Sequence, residues 1–116
     1  MERRRTLGVI GKADEKPTEP FFPELTQGSY DTNGNEIASS DRGRTALYRI
    51  YDGVLLQCYA PDLTSTSNWM NVHVYDSNKK QVSTATWVKE KKLTPQDGTY
   101  LATSVWRDRV VKITYL

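Results

Sequence analysis

From Thr45 to Leu116 the chain is a series of short period-two runs cut by Asp, Asn, Gly and Pro, with no stretch carrying apolar residues at i, i+3, i+4 and i+7. That patterning admits strands and leaves no room for a long amphipathic helix. Strands are expected at residues 45–51, 54–59, 70–75, 81–87, 99–106 and 110–116. In the third of these, Val72 and Val74 share one face, with His73 and Tyr75 on the other. Asp76-Ser77-Asn78-Lys79 reads as a hairpin turn, because Asp and Asn satisfy backbone groups locally and tolerate unusual φ. Lys89, Lys91 and Lys92 around Glu90 read as a solvated loop or as a charged sheet edge that discourages aggregation. Strands about ten residues apart fit a sandwich or barrel. The expected fold is all-β: a single β-sandwich, preceded by an extended N-terminal arm.

The boundary is drawn at Gln27, giving an arm over residues 1–26 and a sandwich over 27–116. The first segment holds Pro17, Pro20 and Pro23, three of the chain's five prolines, and its acidic and basic residues cancel. Proline fixes φ and removes a donor, so 16–24 should be extended, near polyproline II. Two apolar clusters interrupt it, Leu7-Gly8-Val9-Ile10 and Phe21-Phe22. So short a segment cannot bury them alone. They fit an arm that orders on a partner, with Leu7, Val9, Ile10, Phe21 and Phe22 as anchors and Arg3, Arg4 and Arg5 as its basic start.

A chain of 116 residues with formal net charge +2 suits one domain and lacks the strongly basic balance of a dedicated nucleic-acid binder. The single Cys58 cannot form an intramolecular disulfide. No apolar run suggests a secretory signal or a membrane span, so synthesis in a reducing cytoplasm is the expectation. His73, alone of its kind, reads as a strand residue, since a catalytic base needs a partnered constellation. A Cys58–His73 pair would have no orienting group, and one Cys and one His are too few for zinc. The stretch from Asp31 to Glu36 looks like a calcium loop, yet its sixth and twelfth positions hold Glu36 and Arg42 where Gly and Glu are required. No catalytic, cofactor or metal site is expected, and no pair of acids stands out for glycan hydrolysis.

Twelve aromatics, including Trp69, Trp87 and Trp106, first read as core or interface packing. Trp69, beside Ser65-Thr66-Ser67-Asn68, and Trp87, beside the lysine run, are the candidates for exposure and for stacking on sugar rings. Arg42 and Arg44 suit planar hydrogen bonding to carboxylates or carbonyls across an interface.

Three stretches resemble a small β-sandwich module of bacteriophage tail, fibre and virion accessory proteins. They are Gly28-Ser29-Tyr30-Asp31 through Ser39-Ser40-Asp41-Arg42-Gly43-Arg44-Thr45, the hairpin from Val72 to Ser83 with Tyr75-Asp76-Ser77-Asn78-Lys79 at its tip, and Leu93-Thr94-Pro95 through Tyr100. Thr103-Ser104-Val105-Trp106 departs from the pattern, standing where such modules place an arginine-containing strand. The resemblance implies a jelly roll akin to carbohydrate-binding modules. It also implies a non-enzymatic structural role in the virion, as head fibre, capsid decoration or tail-associated subunit. The expected partners are other virion proteins gripped through the arm, and further copies of the chain in a homo-oligomer, with a trimer as the form chosen. The alternative is a glycan-binding module that aids adsorption to host surface polysaccharide. Neither membrane nor nucleic acid is an expected partner.

Overall fold

The computed structural model describes residues 16–65, 68–106 and 108–116, and these form eleven strands with no helix among the described residues. The strands are β1 (Thr26–Gln27), β2 (Ser29–Tyr30), β3 (Glu36–Ile37), β4 (Arg42–Arg44), β5 (Tyr48–Arg49), β6 (Val54–Tyr59), β7 (Met70–Tyr75), β8 (Gln81–Val88), β9 (Glu90–Leu93), β10 (Tyr100–Trp106) and β11 (Val110–Tyr115). Every pairing is antiparallel. One sheet has the order β1-β4-β10-β7-β8, with β5 also on β10; a second runs β11-β6-β9; a third is the β2–β3 hairpin.

The two larger sheets share one apolar core. Val54, Leu56 and Cys58 of β6, Leu93 of β9, and Val111 and Ile113 of β11 meet Met70, Val72 and Val74 of β7 and Leu101 and Val105 of β10. Period two drives this layering, and β6 alternates buried with half-buried along its whole length. The charged run proves to be a sheet edge: among the described residues β9 pairs on one side only, with β6, and carries Glu90, Lys91 and Lys92 there.

The expected strand over 45–51 is broken. The Thr45 N–H donates to the Thr103 carbonyl while the Thr45 hydroxyl accepts the Thr103 N–H, so one residue closes both bonds with β10. The chain then leaves the ladder and rejoins it only at β5. Strand β10 is left buried on both faces from Leu101 to Val105.

The second cover of β10 comes from β2–β3. Tyr30, Tyr75 and Ala102 form a smaller apolar cluster with Leu47 and Tyr100 on the sheet face away from the main core. The Tyr30 hydroxyl donates to the Thr45 carbonyl at 2.5 Å, and the Tyr75 hydroxyl to the Gly34 carbonyl at 2.8 Å. Arg44 locks the hairpin from the side, donating to the Ile37 carbonyl at 3.1 Å and pairing with Glu36 at 3.5 Å. Gly28 lies directly against that guanidinium at φ +145, and a Cβ there would collide with it.

Residues 16–26 carry contacts that tie them to this body, N-terminal to the boundary expected at Gln27. Phe21 exchanges two backbone hydrogen bonds with Ile113 at 3.0 and 2.8 Å, adding a bridge outside β11. Its ring lies between Tyr48 and Tyr115, at 5.6 and 6.5 Å. Leu25 packs on the main core, and β1 pairs with β4. Phe21 is thus held by the protein's own fold, whereas Phe22 is exposed. The remaining arm residues singled out, Arg3, Arg4, Arg5, Leu7, Val9 and Ile10, lie outside the described residues.

Two loops share one hydrogen-bond plan. Asp31 accepts at Oδ1 from Asn33 N–H and Asn35 N–H, as Asp76 does from Asn78 and Lys80. The fourth position is left-handed in both, Gly34 at φ +80 and Lys79 at φ +66. Glycine enters that region freely, while a side chain there costs about 1 kcal/mol. Lys79→Gly should therefore raise the free energy of unfolding by about 1 kcal/mol, read as a higher midpoint in urea; an unchanged or lower midpoint refutes this account of the turn.

Candidate functional site

The hairpin covers only part of the outer face of β10 and β7. Past Ser104 that face opens, and three tryptophans gather on it. Gly43 and Val105 are buried partners in the register, so the next pair, Arg42 and Trp106, points away from the main core. Val105 pairs with Met70, which sets Trp69 opposite Trp106 one step further along. Trp69, Trp87 and Trp106 are 44%, 55% and 39% exposed, so all three are surface rings and none packs in the core of the chain.

Trp87 reaches this face through a distortion. Ser83 and Ala85 oppose Val74 and Val72, on the core side, and strict alternation would send residue 87 inward as well. A β-bulge between the Val72 and Met70 pairings inserts an extra residue, and Trp87 takes φ +58. Its N–H leaves the ladder and donates to Asn71 Oδ1 at 3.1 Å. Left-handed backbone at a bulky aromatic costs on the order of 1–3 kcal/mol, and the outcome here is an indole in solvent rather than in the core.

Arg42 ties the cluster together. It is three strands from β8 in the sheet order, so its stem runs across the face with the guanidinium 4.2 Å from the Trp106 ring and 5.9 Å from the Trp87 ring. Lys89 Nζ sits 4.9 Å from the Trp69 ring. Each cation over an indole contributes about 0.5–1 kcal/mol at an exposed site. Beside Trp106 a groove is lined by Ser40, Asp41, Asp108 and Arg109. Arg109 is engaged there, with Asp108 at 2.7 Å and, through Nε, with Asn68 Oδ1 at 2.5 Å.

The two arginines expected at an interface thus part company. Arg44 turns inward onto Glu36 and Ile37, while Arg42 joins Trp87, one of the two expected stacking residues. Trp69 lies in the same cluster. Trp106 was missed, because no local feature sets it apart from a packed strand residue; its pairing with Arg42 across 64 positions is a matter of register.

The other singled-out groups lie apart from the cluster. Cys58 faces the inter-sheet core, and burial pushes its thiol up to about 11. His73 sits on the opposite side of β7, its ring 5.2 Å from Tyr30, so the sheet separates the two. The Asp31 carboxylate is spent on the N–H groups of its own turn, which lowers its pKa. Among the described residues, no group of three or more His, Cys, Asp and Glu could hold a metal ion, and no helix is long and apolar enough to cross a membrane. None of the protein-family models matches the sequence, no curated protein matches it, and no solved structure matches its fold.

His73 has a consequence of its own. Gln81 Nε2 donates to the Thr32 carbonyl at 2.8 Å, so its Oε1 accepts from His73 Nδ1–H at 2.6 Å. The buried Nε2 has no hydrogen-bond partner among the described residues. Burial lowers the imidazole pKa, against smaller opposing effects of Gln81 and Asp31. The unfolded chain then takes up a proton near pH 6.5 before the folded one does, so the stabilisation is complete above that pH and is lost as pH falls below it. Urea midpoints should drop from pH 7.5 to 5.5, and His73→Gln should flatten that dependence; the same slope in both proteins would exclude His73 as its source.

Proposed function

We propose that the protein is a non-enzymatic glycan-binding and structural module of a bacteriophage virion, a jelly-roll-like sandwich whose tryptophan face meets host surface polysaccharide. The observation that carries the glycan reading is Trp87. A strained backbone places an indole in water beside a guanidinium that also contacts a second indole, an arrangement whose backbone cost stability alone disfavours and that stacking on sugar C–H faces rewards. The groove beside Trp106 adds Ser40 and Asp41 as acceptors for sugar hydroxyls. Asp41 and Asp108 are both exposed on that groove and open to hydroxyl donors.

The virion assignment rests on the three stretches that resemble phage tail and fibre modules. In this reading the chain joins the particle through its first residues, with Phe22 beside the point where they meet the sandwich, and works as a homo-oligomer. Phe21 and Leu25 belong to the sandwich itself.

Two tests separate these roles. Trp87→Gly should relieve the left-handed strain and raise the melting temperature while abolishing retention in affinity gels cast with host polysaccharide. Retention that survives both Trp87→Gly and Trp106→Ala would sink the glycan reading. Deleting residues 1–15 should leave the melt unchanged and abolish incorporation into particles, whereas deleting 1–26 should lower the melt by removing Phe21 and Leu25; normal incorporation of the shorter deletion would defeat the anchoring role.

A further inference from the structure

The guanidinium of Arg42 is held in an unusual state. Two indoles contact it, at 4.2 and 5.9 Å from their ring centroids, and it makes no hydrogen bond or ion pair with any other described side chain or carbonyl. Two other arginines nearby have fixed acceptors, Arg44 on Ile37 and Glu36 and Arg109 on Asp108 and Asn68, whereas Arg49, 5.8 Å from the Tyr51 ring, resembles Arg42 but has one ring rather than two. A guanidinium stacked on an aromatic face keeps its N–H groups in its own plane, pointing along the surface rather than into it. The stacking removes much of the side chain's freedom in advance, so less is lost when those donors meet an acceptor. The complement to such an edge is a planar or tetrahedral oxyanion.

We propose that Arg42 and the tryptophans around it form a subsite for an anionic saccharide, in which the guanidinium edge takes a carboxylate or phosphate of the sugar while an indole supports the ring. This rests on the glycan-binding reading and specifies its ligand class. Lys89, over Trp69, extends the positive charge along the same row. The neighbouring groove tells against a nucleic-acid strand, whose every residue bears a phosphate, because Asp41 and Asp108 line it. A saccharide charged at intervals meets both requirements: its anion goes to Arg42 and its hydroxyls go to the acceptors beside Trp106.

The test uses the full chain and ligands matched at one carbon. A galactose trimer with one residue oxidised to galacturonate (the galacturonate trimer) and the plain galactose trimer differ at a single C6, carboxylate against hydroxymethyl, and the methyl ester of the first removes its charge without altering the protein. Galactose 6-phosphate, as competitor, separates phosphate from carboxylate recognition. By isothermal titration the galacturonate trimer should bind at least about tenfold more tightly than galactose trimer or the ester, as expected for one charge-assisted fork. Arg42→Lys, which keeps the charge and loses the fork, should erase that preference while the thermal melt stays within a few degrees. Equal binding of all three trimers would overturn the anionic subsite and leave the glycan reading standing. No binding of any saccharide would overturn both. Tighter binding of an oligothymidylate than of the galacturonate trimer would replace the proposal with a nucleic-acid surface.

Discussion

Strand β10 must be covered on both faces, and most of the architecture follows from that requirement. Leu101, Thr103 and Val105 face the partner sheet, while Ala102 and Ser104 face the other way and are equally buried. A two-sheet sandwich supplies only the first cover. The second is the short β2–β3 hairpin, which two residues of regular strand on each side cannot stabilise alone. Hydroxyls of Tyr30 and Tyr75 and the guanidinium of Arg44 hold it in place, three polar side chains anchored at backbone carbonyls.

Where that cover stops, the tryptophan face begins. Arg44 and Arg42 stand two residues apart on the same strand and the same side, so they divide the outer face between them. Arg44 closes the covered part through Glu36 and Ile37; Arg42 lies in the open part against Trp106 and Trp87. The fold therefore presents an edge of exposed indoles next to a covered zone. That geometry suits extended chains that lie along a surface better than small molecules that need enclosure.

Much of the fold was legible in the residues. The runs 54–59 and 70–75 match β6 and β7, and the turn after Tyr75 is formed as its Asp and Asn indicate. Other parts were not. The break after Thr45 depends on a hydroxyl that meets a backbone N–H 58 residues away, and Phe21 looks like a free anchor until Ile113 is placed beside it. Lys79 occupies a left-handed position that residue preferences would assign to glycine, yet the Asp76 cap imposes it.

The sequence by itself determined β6, β7, β8, β10 and β11 and the turn after Tyr75, because period two and Asx chemistry act over a few residues. Only the tertiary structure decided which way Trp87 faces, since its bulge is pinned by Asn71 on the neighbouring strand. Trp106 is unremarkable in its own run, and Trp69 and Arg42, notable there only singly, share one face with it only when the register of β4, β10 and β7 aligns them. Register is a long-range property, fixed by how two sheets bury their apolar faces together, and a one-residue slip would turn those side chains to the opposite face.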